Sequence, residues 1–179
     1  KQGKMEIRKL EVGERYYLNT PEGQVPCDEF GAYLDTLGAA GYYQNGPDMG
    51  VKVCLEGTTA ESDQMLQELK SVQTRAFEAE SKRLQSGALK NSDRIQWFHV
   101  KNRFRPMGVK MIGVFCDAIK NTDIVDPKRY VAGYQIIPNE IPGFGPVEMN
   151  EVKISMRVSA YMEDKIRSGQ AMGLNIFLP

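Results

Sequence analysis

Residues 151–159 read Glu-Val-Lys-Ile-Ser-Met-Arg-Val-Ser and alternate strictly between apolar and polar types. Period two predicts a half-buried strand, with Val152, Ile154, Met156 and Val158 turned inward. Lys153, Ser155, Arg157 and Ser159 then share the wet face. Cations and hydroxyls in one row suit an anionic ligand: the arginine fork matches phosphate oxygens, and serine can donate and accept. The plain alternative is the solvent face of an antiparallel sheet. A second constellation lies upstream, where Lys101, Arg103, Arg105 and Lys110 fall between a strand end and the first turn of a helix, with His99 at the edge. Ligands of open α/β folds gather beyond the carboxyl ends of strands. A helix N-terminus adds unpaired N–H groups there, and Gly108 allows close backbone approach. A phosphate-binding corner is the expectation. Its alternative is a solvated loop that happens to be basic.

Other chemistries are excluded by what the chain lacks. His99 is the one histidine among 179 residues, so no multi-histidine metal site can form. No HExxH, no GxSxG and no carboxylates at metal-binding spacing occur. The segment Gly143-Phe144-Gly145-Pro146 lacks the lysine and hydroxyl of a P-loop and reads as a turn. Cys27, Cys54 and Cys116 form no CxxC pair, so neither a disulfide framework nor a zinc knuckle follows. Cys116 falls on an apolar helix face and reads as a buried thiol. The residues themselves therefore assign no catalytic group and no metal ligand. Lysine plus arginine and aspartate plus glutamate both total 23, so an anion site must come from local clustering. No apolar run reaches the roughly 18 residues of a membrane span, and no signal peptide is visible. The default is a cytoplasmic protein with no membrane partner.

The elements that must position these residues follow from pattern. Residues 15–18 suggest a strand, and 19–23 a turn. Phe30, Tyr33, Leu34 and Leu37 recur at helical spacing, with Asp28 as N-cap and Gly38 as stop. Residues 41–50 read as a loop and 50–55 as a strand. Thr58 and Glu61 resemble a capping box opening a helix to about residue 85. Its buried stripe is Met65, Leu69, Val72, Ala76 and Ala79, widened by Leu66 and Phe77; Glu61, Asp63, Glu68, Glu78 and Glu80 line its outer side. Next come a strand over 94–100, a helix over 109–119, a strand over 130–137, a Pro- and Gly-rich loop, the 151–159 strand and a helix over 161–166. Residues 169–174 read as less regular. This is an α/β unit with a small mixed sheet flanked by helices, preceded by an N-terminal linker and a long helix. Trp97, Phe98 and Phe144 are the aromatics able to stack a base, although each reads more plainly as core.

The segment Arg105-Pro106-Met107-Gly108-Val109-Lys110-Met111-Ile112-Gly113, the 130–137 strand and Val152-Lys153-Ile154-Ser155-Met156-Arg157 together resemble the DHH-associated C-terminal domain of RecJ-like DHH phosphoesterases. Residues 93–179 carry this resemblance. The 37–47 loop and the long helix are similar to the interdomain segment of archaeal RecJ-like proteins. The implied organisation is 1–57 as a linker from a preceding catalytic domain, 58–92 as a connecting helix and 93–179 as the substrate-binding domain. The implied activity is phosphodiester hydrolysis, as in an exonuclease, with two manganese ions held by Asp and His of a DHH domain. The implied partners are single-stranded nucleic acid or a short oligonucleotide, and the DHH domain of the same polypeptide. By similarity, Arg157, Ser155, Lys153, Arg105, Arg103 and Gly108 would contact substrate phosphate or line the cleft. No Asp-His-His motif occurs, and the family's Gly-Gly-His motif is absent. Both absences fit a fragment of a longer enzyme, truncated before that glycine-rich motif. Two other readings remain: an assembly module using the long helix, and a domain for cyclic dinucleotides or small phosphoesters.

Overall fold

A computed structural model of the chain describes residues 15–20 and 23–170. The expectations for residues 1–14, for the turn at 21–22 and for 171–174 lie outside these. Two compact units result. The first holds the described residues through Gln73 and also Pro106–Gly108; the second holds Thr74–Arg105 and the described residues from Val109. The division falls inside the long helix.

In the first unit, β1 (Tyr17–Thr20) and β2 (Gly23–Pro26) pair as an antiparallel hairpin. Helix α1 (Cys27–Asp35) follows directly. Asp28 is not its cap. It lies in the first turn, where Arg15 bonds Asp28 at 2.9 Å and Glu29 at 2.7 Å. Gly38 is no stop either, because a wide π-helical turn (Thr36–Ala40) carries the chain on and buries Leu37 and Ala40. Closure comes at Gly41, whose N–H reaches the Leu37 carbonyl. A Cβ on Gly46 would sit 2.0 Å from that same carbonyl oxygen, so only glycine permits this approach.

Residues 50–55 are not a strand. They belong to helix α2 (Gly46–Glu56), which Pro47 and Asp48 open in its first turn. Met49 and Val53, four residues apart, are its buried anchors, and Val51 and Leu55 face out. A run of Val and Leu with one intervening cation fits either period, and here helical packing decided it. Helix α3 (Ala60–Arg83) is capped one residue later than expected: Thr59 Oγ1 accepts from Ser62 N–H, and Ser62 Oγ accepts from Thr59 N–H. Leu66 and Leu69 are buried, whereas Ala79 is exposed.

The second unit is built on a four-stranded mixed sheet of order β3-β4-β5-β8. Its elements are β3 (Lys90–Asn91), β4 (Ile95–His99), α4 (Met111–Ile119), β5 (Tyr130–Ile136), a small hairpin of β6 (Glu140–Ile141) and β7 (Gly145–Pro146), β8 (Val152–Arg157) and α5 (Ala160–Arg167). Strands β4 and β5 are parallel, joined through α4; β3 and β8 add antiparallel at either edge. Parallel neighbours need such a crossover. One sheet face packs on α4, where Phe115 meets Phe98 edge-on at 5.6 Å and Phe77 and Phe104 close the cluster. Gly133 of β5 makes this possible. A Cβ there would lie 2.7 Å from Phe98 and 2.9 Å from Ile112.

Candidate functional site

The burial of β8 departs from the sequence expectation. Ser155 is buried and Arg157 half-buried, while Val152 and Ile154 are 50% and 61% exposed. The polar face lies under α4. A Cβ on Gly113 would meet Arg157 Nη2 at 3.0 Å and Ser155 Oγ at 3.1 Å. Arg157 donates from Nε to Asp117 at 2.8 Å and from Nη1 to the Met156 carbonyl at 2.9 Å. Asp117 loses some of its ordinary proton affinity. Desolvation opposes this, but hydrogen bonds from Lys120 and Arg157 outweigh it. Alternation fixes the period of a strand but not which face its neighbours cover. Ser159 is buried too, accepting from Met162 N–H as the cap of α5 and donating to the Pro127 carbonyl. Lys153 alone of the predicted row stays exposed without engagement under α4. Burial pushes the Cys116 thiol up to about 12, so it is unreactive at neutral pH.

The basic turn after β4 divides as well. Gly108 belongs to the first unit, where its N–H reaches the Ala39 carbonyl and the Tyr42 side chain closes over it. Arg103 is engaged by Glu80, donating Nε at 2.8 Å, and also reaches the His99 carbonyl. Glu80 was expected on the solvent side of α3, yet it is 1% exposed. Its second partner is Arg83, whose Nε donates at 3.0 Å and whose Nη2 also reaches the His99 carbonyl at 3.2 Å. Desolvation pushes the Glu80 carboxyl up, but hydrogen bonds from Arg83 and Arg103 overcome it and hold the group below its ordinary range. A buried carboxylate with two guanidinium partners therefore ties α3 to the carboxyl end of β4.

Arg105 faces a crevice of about 660 Å³ just beyond the carboxyl ends of parallel β4 and β5. That volume is ordinary for a small-molecule site, roughly 300–1,000 Å³. Lys101 and Arg105 supply its cations, and Asn102, Asn139 and Asn150 its amides. Phe104, Ile136, Ile137 and Pro138 form its apolar wall. Lys101 and Asn150 adopt left-handed backbone, with φ of 52° and 29°. Such positions cost about 1–3 kcal/mol and gather at binding sites.

Two of its lining residues each have a buried polar atom without a protein partner, His99 Nε2 and Gln135 Oε1. An unpaired buried acceptor costs about 1–3 kcal/mol. Gln96 shows the usual solution in the same sheet: Nε2 donates to the Asp126 carbonyl at 2.8 Å and Oε1 accepts from Asp126 N–H at 2.9 Å. His99 stacks on Tyr134 at 4.5 Å, nearly parallel. Burial, then Arg103, Lys101 and Arg83, lower its proton affinity, and Glu80 opposes them. The imidazole is neutral at pH 7.

Sequence reasoning pointed to Arg105 and to the 99–110 turn, but it missed Gln135, Asn139 and Asn150. Gln135 carried a signal, since it interrupts an otherwise apolar strand. The asparagines carried none. Among the described residues no three His, Cys, Asp or Glu side chains are grouped to hold a metal ion. The resemblance assigns manganese to a different domain. No described helix is long and apolar enough to cross a membrane. Comparison with known proteins finds no family model and no curated protein that matches the chain.

Proposed function

We propose that this chain is the linker and substrate-binding part of a cytoplasmic RecJ-like DHH phosphoesterase. It grips the phosphate of single-stranded nucleic acid or a short oligonucleotide, and the catalytic DHH domain of the same polypeptide hydrolyses the phosphodiester bond. One observation carries the binding role: Lys101 and Arg105 line a crevice at the carboxyl ends of parallel strands. The family attribution rests on the sequence resemblance. Within the predicted set, Arg105 takes the direct phosphate contact, joined by Lys101. Arg103 holds the turn through Glu80. Arg157 and Ser155 support α4 against β8. The test is equilibrium binding of a 5′-phosphorylated single-stranded oligonucleotide by the chain and by its Lys101→Ala/Arg105→Ala variant. At least a tenfold loss with unchanged thermal unfolding is expected; equal affinity overturns the reading.

An assembly role is favoured by a different observation. Leu55 is 80% exposed on α2 beside an apolar groove lined by Leu34, Pro47 and Val51. Leu66 and Leu69 of the long helix are buried, so that face is not offered to a partner.

A further inference from the structure

Resting on the phosphate reading of the same crevice, we infer that Gln135 reads a nucleobase edge, so that the site takes a whole nucleoside 5′-monophosphate unit rather than a bare phosphate. Gln135 is 5% exposed, lines the crevice and leaves Oε1 unpaired. A dianionic phosphate offers that atom no donor, because its oxygens and the amide oxygen are all acceptors. A ligand group that pairs with it brings a donor in addition to the anion. A carboxamide offers an acceptor beside a donor, which matches the adjacent amino group and ring nitrogen of adenine. The crevice supplies the other requirements of a nucleotide. Lys101 and Arg105 provide cations for the phosphate, and Ile136 and Pro138 provide an apolar wall against which a base or sugar can lie. Neutral His99, another lining residue, adds a second buried polar atom, Nε2. Gln96 in the neighbouring strand, with both amide groups engaged, shows that burial alone does not leave a glutamine unpaired in this sheet.

The experiment compares adenosine 5′-monophosphate with ribose 5-phosphate, which keeps the sugar and phosphate and lacks the base, by titration calorimetry on the full chain. Wild type is expected to bind the nucleotide about tenfold more tightly than the sugar phosphate. Gln135→Met, similar in shape, should abolish that ratio, leave ribose 5-phosphate affinity unchanged, and keep or raise the thermal midpoint because it removes an unsatisfied group. Equal affinities for the two probes in wild type, or a ratio that survives in Gln135→Met, overturns the inference while the phosphate reading stands. A lowered midpoint in Gln135→Met would make Gln135 a structural residue, and also overturns it. Binding of neither probe overturns both readings.

Discussion

Glu80→Gln tests how the crevice is held in place. The carboxylate is 1% exposed and accepts from Arg83 at 3.0 Å and Arg103 at 2.8 Å. Removing one partner of a fully buried ion pair costs about 3–5 kcal/mol. Here the two arginines are 31% and 34% exposed, so water takes up part of their charge when the carboxylate is lost. Glutamine also keeps the shape and one acceptor. The expected cost is therefore about 2–3 kcal/mol. Trp97, the single tryptophan, lies in β4 and reports directly on this unit. With a urea slope of about 2 kcal/mol/M, its fluorescence midpoint should fall by about 1–1.5 M. In a double-mutant cycle with Arg103→Met, the two sites should couple by at least about 1 kcal/mol. A midpoint shift under about 0.25 M, or strictly additive losses, would refute the idea that this carboxylate fastens α3 to the end of β4.

Two further predictions concern the sheet. Gly133→Ala should destabilise the second unit by about 1–3 kcal/mol, because its methyl group would press on Phe98, Ile112 and Cys116; urea unfolding followed at Trp97 measures it. His99 has a folded-state proton affinity below its ordinary value, first through burial and then through Arg103, Lys101 and Arg83. The unfolded chain takes up a proton near pH 6.5 while the folded chain resists it. Stability from this site is thus full above about pH 6.5 and declines as pH falls below it. His99→Gln should flatten the wild-type decline between about pH 6.5 and 5, seen as thermal midpoints across that range. The Glu80 and Asp117 carboxyls titrate lower and do not contribute to that window.

Much of the second unit was legible because its patterns are local. The apolar runs of β4, α4 and β5 and the Pro- and Gly-rich break before β8 each carry their own period and punctuation. A mixed sheet flanked by helices follows from their order. What failed depended on neighbours. Strand β8 alternates correctly, but α4 comes close at Gly113 and Gly133, where Ser155 and Arg157 lie beneath it and Ile154 is left outside. Glu80 looked like any exposed helical glutamate until Arg83 and Arg103 converged on it. Helix α2 resembled a strand because Val51, Val53 and Leu55 alternate, and only the burial of Met49 and Val53 breaks the tie. The crevice combines the ends of two strands, the 101–105 turn and Asn150, residues separated by up to about fifty positions, so no window of sequence displays it.

The most direct measurement is the salt dependence of oligonucleotide binding. For single strands, log affinity falls with log salt by about 0.7 for each phosphate neutralised. If Lys101 and Arg105 each neutralise one phosphate, the Lys101→Ala/Arg105→Ala variant should show a slope shallower than wild type by about 1.4. Identical slopes in wild type and variant, or wild-type binding that ignores salt, would contradict a phosphate grip in this crevice.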